Sequence, residues 1–269
     1  MSQSLTNITA TLRLLATKRQ PALIPYLTSG YPHPNLTLPL LCALSDAGAD
    51  IIEVGVPYSD PTADGPVIQQ SCHLALTHGV NLAQTLDTIA AFRQIRTTPI
   101  ILFGYVNPVL QMGYAACAQR CKAAGVDGLL IVDLPLEEAG PLRDNVVHWG
   151  MDWIALWTQT SRLQRIPLLR EVATGFVYYV SMKGVTGSAT APDHETIAAN
   201  VTMLRKQAGL PVGVGFGIRT TEDAAIVGSY ADAVVVGSEL IRRLGTPGDS
   251  VDQAFRYVQA LRQALPSGE

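Results

Sequence analysis

The sequence contains no long hydrophobic run: no apolar stretch approaches the roughly 20 residues that a helix needs to cross a bilayer. Residues 1–7 also lack the charged and then apolar layout of a secretory signal. We therefore expect no membrane association.

Charged residues are scarce, at 15% of 269 residues, and the formal net charge is −3. Nucleic-acid-binding proteins favour a basic surface, so no nucleic-acid partner is expected. Hydrophobic residues make up 48% of the chain, which is typical of a core-rich globular protein and argues against disorder.

Cysteine is also rare, with four residues: Cys42, Cys72, Cys117 and Cys121. The histidine nearest in sequence to Cys117 and Cys121 is His148, so no dense cluster of metal ligands is indicated. Free thiols are typical of a reducing cytoplasm, the location we expect. The five histidines are scattered without the spacing of a nucleophile and its base, so a Ser-His-Asp or Cys-His enzyme is not indicated.

Short β-branched runs alternate with longer amphipathic segments along the whole chain. Eight runs are predicted strands: Ala22–Leu27, Asp50–Val54, Pro99–Phe103, Gly128–Val132, Trp153–Leu156, Phe176–Val180, Val212–Val214 and Ala233–Val236. Eight such units in about 250 residues predict a (β/α)8 TIM barrel. No linker divides the chain, so residues 1–269 are predicted to form one domain. A doubly wound open sheet is the alternative.

Local signals mark the ends of several predicted helices. Asn81 stands where an N-cap is expected, and Gly48 and Gly125 stand where helices should end and strands begin.

Glu53 is a carboxylate in the middle of a buried apolar strand. Burying an unpaired carboxylate is costly, so a strand that tolerates one usually uses it. Facing the barrel mouth, Glu53 would have a raised pKa suited to proton transfer near neutral pH. The alternative is a structural glutamate that pairs with an arginine or caps a loop.

Asp60 and Asp64 lie in the Pro- and Gly-rich loop that follows this strand. Each could be functional, or could shape the loop through an Asx-turn. For Asp60 the structural interpretation is favoured. For Asp64 both the functional and the structural interpretation remain open.

Glycines follow three consecutive predicted strands, at Gly184 and Gly187, at Gly215 and Gly217, and at Gly237 before Ser238. Barrels often bind phosphate on backbone N–H groups after the last two strands, so a phosphate site is predicted. Five aromatic residues also fall near strand ends and could form a wall for a flat substrate: Tyr26, Phe103, Tyr105, Tyr178 and Phe216.

Together these residues resemble the tryptophan synthase α subunit family over nearly the whole chain. The matching segments are Leu23–Gly30, Glu53–Pro66, Gly104–Pro108, Asp133–Pro135, Ser181–Gly187, Gly215–Ile218 and Val235–Ser238. Glu53–Pro66 is highly specific.

The resemblance implies a lyase that cleaves indole-3-glycerol phosphate to indole and glyceraldehyde 3-phosphate in tryptophan biosynthesis. It makes Glu53 the general acid–base and Asp64 the acceptor of the indole N–H. It places Thr186 beside Asp64. It implies an indole wall of Tyr26, Phe103, Tyr178 and Phe216, and a phosphate site of Gly187, Gly217, Gly237 and Ser238. It implies no cofactor in this chain, and an α2β2 complex with a β subunit that holds pyridoxal phosphate.

Several residues depart from the family pattern: Tyr31, Ser188 and Ala189, the turn Trp157–Arg162, and Glu239, an acid beside the presumed phosphate. The departures leave Glu53 and Asp64 intact and bear more on regulation than on chemistry.

Two alternative functions remain open. Lys183, just past the sixth strand, could form a Schiff base in a lysine-dependent aldolase, although a solvated loop lysine is the simpler interpretation. The chain could also act mainly as an activator of a β subunit, with weak turnover of its own.

Overall fold

Short buried apolar runs form the strands. The structure is a computed structural model that describes residues 5–181, 193–215, 217–246 and 248–267. Within these ranges nine strands form one sheet: β1 Ala22–Thr28, β2 Ile52–Gly55, β3 Ile100–Gly104, β4 Gly128–Ile131, β5 Asp152–Trp153, β6 Ala155–Thr158, β7 Val177–Val180, β8 Val212–Gly215 and β9 Ala233–Val236.

The sheet closes into a barrel. Its strand order is β5-β4-β3-β2-β1-β9-β8-β7-β6, and neighbouring strands pair in parallel. Only Ile154 separates β5 from β6, and its backbone N–H donates to the carbonyl of Leu129 in β4 over 2.9 Å. The two ends of the sheet are therefore halves of one interrupted strand. The predicted (β/α)8 barrel is confirmed, and the open-sheet alternative is wrong.

Helices surround the barrel. The described residues form twelve: α1 Asn7–Thr17, α2 Thr37–Asp46, α3 Pro66–Thr77, α4 Leu82–Arg93, α5 Val106–Met112, α6 Tyr114–Ala124, α7 Gly140–His148, α8 Ile166–Val172, α9 His194–Ala208, α10 Thr221–Gly228, α11 Ser238–Leu244 and α12 Ser250–Ala264. In this part of the chain no helix is both long and apolar enough to cross a bilayer.

The predicted helix ends are confirmed at Asn81 and Gly125. The Asn81 side chain caps α4 by accepting hydrogen bonds from the backbone N–H groups of Ala83 and Gln84. Gly125 ends α6 with a φ of 85°, a left-handed conformation that favours glycine. Gly48 lies one residue beyond the C-cap of α2.

Helix α1 fills the N-terminal end of the barrel. Its apolar side chains join the inward-facing residues of the strands in one buried cluster, which includes Ile8, Leu12, Ile24, Ile51 and Ile101. One layer above Ile51, on the same face of β2, comes Glu53. The barrel floor is therefore largely apolar, apart from Asp127 and Asp152, which accept hydrogen bonds from Asn7 and Thr6 at the start of α1. Glu53 lies toward the C-terminal ends of the strands, where barrel enzymes place their chemistry.

Candidate active site

Glu53 is a carboxyl group buried inside the barrel. The residue is 1% exposed, and Oε1 has no hydrogen-bond partner among the described residues. Desolvation by burial raises the pKa of the carboxyl group to about 8. Among the described residues Glu53 forms no ion pair with an arginine, which was one form of the structural interpretation. Its raised pKa keeps Glu53 mostly protonated at neutral pH.

Asp64 lies in the loop between β2 and α3. The hydroxyl of Tyr105, which follows β3, donates a 2.9 Å hydrogen bond to its Oδ2. Desolvation by burial raises the pKa of Asp64 to about 6, and the Tyr105 hydrogen bond opposes that rise. Asp64 is therefore mostly ionised at neutral pH, unlike Glu53.

The sequence did not predict the contact between Tyr105 and Asp64. It indicated only that Tyr105 could line an aromatic wall. The backbone N–H of Ala63 also donates to the Tyr105 hydroxyl over 3.1 Å, and the Tyr58 ring stacks on the Tyr105 ring with centroids 4.9 Å apart. The position of Tyr105 directly after a strand end is the one signal that could have indicated it.

Two tyrosine hydroxyls lie against glycines at the ends of strands. A Cβ added to Gly55 would lie 2.1 Å from the Tyr26 hydroxyl oxygen, and one added to Gly215 would lie 2.1 Å from that of Tyr178. Both positions therefore require glycine, because any side chain would occupy the space of a phenol.

The phenols lie close enough to the two carboxyl groups for the carboxylate charges to act on them. Burial raises the pKa of the Tyr26 and Tyr178 hydroxyls well above their ordinary value, and the charges of Glu53 and Asp64 raise both further. The Phe103 ring meets the Tyr26 ring edge-on, with centroids 5.2 Å apart. The structure thus brings together these five predicted site residues.

The predicted phosphate residues that can be described lie at the same end of the barrel. Gly217 follows β8 with a φ of 79°, Gly237 follows β9, and Ser238 begins α11. Several other predicted positions lie outside the described residues: Lys183, Gly184, Thr186, Gly187, Ser188, Ala189 and Phe216.

Glu239 is neutralised by its own helix. Its carboxylate forms ion pairs with Arg242 and with Arg243, the latter over 3.0 Å. The negative charge of this acid, beside the predicted phosphate site, is therefore compensated by two arginines. A second departure, Tyr31, has its hydroxyl oxygen 2.3 Å from the position of a Cβ on Gly245, so this ring lies against the end of α11.

The cysteines are free, as predicted. The Sγ atoms of Cys117 and Cys121 lie 3.9 Å apart on the buried face of α6. Across the described ranges, no group of three or more His, Cys, Asp or Glu side chains is arranged to hold a metal ion.

A closed parallel barrel with one buried and one partly buried carboxyl group toward the C-terminal ends of its strands is typical of the (β/α)8-barrel enzymes. The model of the family described as "Tryptophan synthase alpha chain" matches residues 12–267. The chain belongs to this family, and it is a lyase. The cleavage of indole-3-glycerol phosphate that its motifs imply is the reaction of the family's α subunit.

Relatives and solved structures agree with the family model. The chain is 48% identical to the tryptophan synthase alpha chain of Cupriavidus taiwanensis over 268 residues, covering 97% of this chain and 99% of that one. It is 45% identical to that of Methylococcus capsulatus over 266 residues, with the same coverage. The crystal structure of tryptophan synthase subunit alpha from Legionella pneumophila superposes with a TM-score of 0.90 at 36% identity, covering 97% and 99% of the two chains.

Proposed function

We propose that Glu53 and Asp64 carry the cleavage of indole-3-glycerol phosphate in this chain, Glu53 as general acid–base and Asp64 as the group that stabilises charge at the indole nitrogen. The observation that supports this most directly is the Oε1 atom of Glu53, which is buried beside the Tyr26 and Tyr178 phenols without a hydrogen-bond partner among the described residues. A carboxyl group without a protein partner is free to exchange a proton with a substrate.

Glu53 serves both proton transfers of a retro-aldol cleavage. In its protonated form it gives its proton to the indole ring carbon that bears the side chain, which leaves a positive charge shared with the ring nitrogen. The resulting carboxylate takes the proton of the hydroxyl group on the adjacent side-chain carbon. The carbon–carbon bond then breaks, its electron pair restores the indole ring, and an aldehyde forms. Glu53 ends protonated, so no further reactant is needed.

Asp64 stabilises the intermediate state. Its carboxylate accepts a hydrogen bond from the indole N–H while positive charge develops there, in a site that holds little water. Its pKa of about 6 keeps it ionised at neutral pH, and the Tyr105 hydrogen bond fixes one of its oxygens. The two carboxyl groups thus work in opposite protonation states.

The remaining predicted residues bind the substrate. Tyr26, Phe103 and Tyr178 would contact the indole ring, together with Phe216. Gly217, Gly237 and Ser238 would bind the phosphate, together with Gly187, and Thr186 would hydrogen-bond Asp64. The shared position of the describable residues at the C-terminal end of the barrel supports these assignments.

The family also implies a partner. We expect a β subunit that holds pyridoxal phosphate, an α2β2 heterotetramer and a cytoplasmic location, as for a biosynthetic enzyme.

Steady-state release of indole tests the assignment. We expect Glu53→Gln to lower kcat by at least about 100-fold and Asp64→Asn by about 100-fold. Asp60→Asn is the matched control, because Asp60 is exposed in the same loop and should leave kcat within about twofold.

The same experiment separates the alternatives. Equal release by wild type and both variants would show that the assigned roles are wrong. If wild type and Glu53→Gln activated a β subunit equally and neither released indole, the chain would be an activator. A covalent adduct on Lys183 after borohydride reduction with substrate would establish Schiff-base chemistry.

A further inference from the structure

Three buried hydroxyl groups form a chain that leads from α3 to the barrel mouth. The Oγ of Ser71 lies 2.7 Å from the Oγ1 of Thr28, which in turn lies 3.2 Å from the hydroxyl oxygen of Tyr26. Thr28 and Ser71 are fully buried, and Tyr26 is 3% exposed. The Ser71 hydroxyl also has a second possible acceptor, because it lies 2.7 Å from the carbonyl oxygen of Ile68.

Each hydroxyl has only one hydrogen to donate. Thr28 donates its hydrogen to the Tyr26 hydroxyl, so Ser71 must be the donor in the contact between Ser71 and Thr28. Tyr26 therefore accepts from Thr28 and keeps its own hydrogen free to donate to a ligand.

The open end of the chain lies beside the proposed acid–base. Tyr26 is the register partner of Glu53 in the neighbouring strand, and its hydroxyl lies against Gly55, the next residue of β2 on the same face. Glu53 exchanges protons with the ring carbon and with a side-chain hydroxyl of the substrate. A substrate hydroxyl that loses its proton becomes a stronger hydrogen-bond acceptor, and the Tyr26 hydroxyl can donate its free hydrogen to it.

We propose that Thr28 and Ser71 are positioning residues that set the Tyr26 hydroxyl to hydrogen-bond with a hydroxyl group on the glycerol side chain of the substrate. The inference rests on the proposed function, since it takes indole-3-glycerol phosphate as the ligand. It assigns Tyr26 a polar contact in addition to its place in the indole wall.

The test is a double-mutant cycle in steady-state cleavage. Tyr26→Phe and Thr28→Val should each lower kcat/KM about fivefold, the effect of one neutral hydrogen bond. The double variant should be no slower than Tyr26→Phe alone, because Thr28 acts only through the Tyr26 hydroxyl. Ser71→Ala gives a second cycle: it should change kcat/KM when Tyr26 is present and have no effect in the Tyr26→Phe background.

A ligand without side-chain hydroxyls provides the control. The dissociation constant of 3-(indol-3-yl)propyl phosphate, measured by calorimetry, should be the same for wild type and every variant that folds by thermal unfolding. The proposal would be overturned if Thr28→Val or Ser71→Ala lowered kcat/KM by the same factor with Tyr26 present and in the Tyr26→Phe background. Equal weakening of this ligand and the substrate by Tyr26→Phe would overturn it as well.

Failure of this inference is distinguishable from failure of the proposed function. If Glu53→Gln abolishes cleavage while Tyr26→Phe matches wild type, only the role of the hydroxyl chain is wrong. If Glu53→Gln keeps full activity, the proposed function itself is wrong.

Discussion

Tyr105 fixes Asp64 at the barrel mouth: its hydroxyl donates to Oδ2 of Asp64 over 2.9 Å and accepts from the backbone N–H of Ala63 over 3.1 Å. The two bonds tie the acidic loop to the end of the neighbouring strand at two adjacent residues. The proposed catalytic carboxylate is therefore held in place by the protein itself.

Removing the Tyr105 hydroxyl should change both the position and the pKa of Asp64. We expect Tyr105→Phe to lower kcat about 5- to 10-fold, since a hydrogen bond to a charged group is lost. The pKa of Asp64 should rise, because this hydrogen bond lowers it. The measurement is the acidic limb of the pH profile, which should move to higher pH. The control is Tyr58→Phe, whose hydroxyl contacts Asn107 and not Asp64; a matching shift in it would contradict the role of Tyr105.

The pH dependence of kcat/KM should be bell-shaped. Asp64 must be ionised, so activity falls as the pH drops below its pKa of about 6. Glu53 must start protonated, so activity falls as the pH rises above its pKa of about 8. Initial rates measured between pH 5 and 9 should show both limbs, and a flat profile over that range would exclude these roles.

Glu53 should also make the fold less stable as the pH rises. Its folded pKa of about 8 lies above the ordinary value of 4.5, so between these values the folded state binds more protons than the unfolded state. The free energy of unfolding therefore decreases with pH across this window. Glu53→Gln removes the titration, and its stability relative to wild type should increase by a few kcal/mol from pH 5 to pH 8. Urea unfolding at both values measures the change, and a constant difference would contradict the burial of Glu53.

Gly55 should not tolerate a methyl group. Gly55→Ala places a Cβ 2.1 Å from the Tyr26 hydroxyl oxygen, inside any allowed contact, so Tyr26 must move. We expect a loss of about 1–3 kcal/mol in the free energy of unfolding, together with a loss of activity. Gly104→Ala is the matched control at the end of β3, where the nearest atom to the new Cβ is Val56 Cβ at 3.6 Å. Urea unfolding should separate the two, and equal losses would show that the clash with Tyr26 is not the cause.

Much of the barrel could be predicted from the sequence because its signals are local. The apolar runs predicted every strand to within about two residues, and Asn81 and Gly125 marked helix ends through contacts with their own neighbours. A buried acid in an apolar strand is equally visible in the sequence, which is why Glu53 is a candidate on its sequence position alone. The ion pairs of Glu239 were missed although its arginines follow at i+3 and i+4, a helical spacing that predicts them.

The way in which distant residues meet depends on the tertiary structure. The fifth barrel strand is interrupted at Ile154, and closure brings this strand back beside β4. Folding also places Tyr105 on Asp64, 41 residues away, and Ser71 on Thr28, 43 residues away. Such contacts depend on strand register and barrel closure, which no local pattern specifies. The order of residues alone sets which carboxyl groups stand at strand ends. Their opposite protonation states come from the burial and hydrogen bonds that folding imposes.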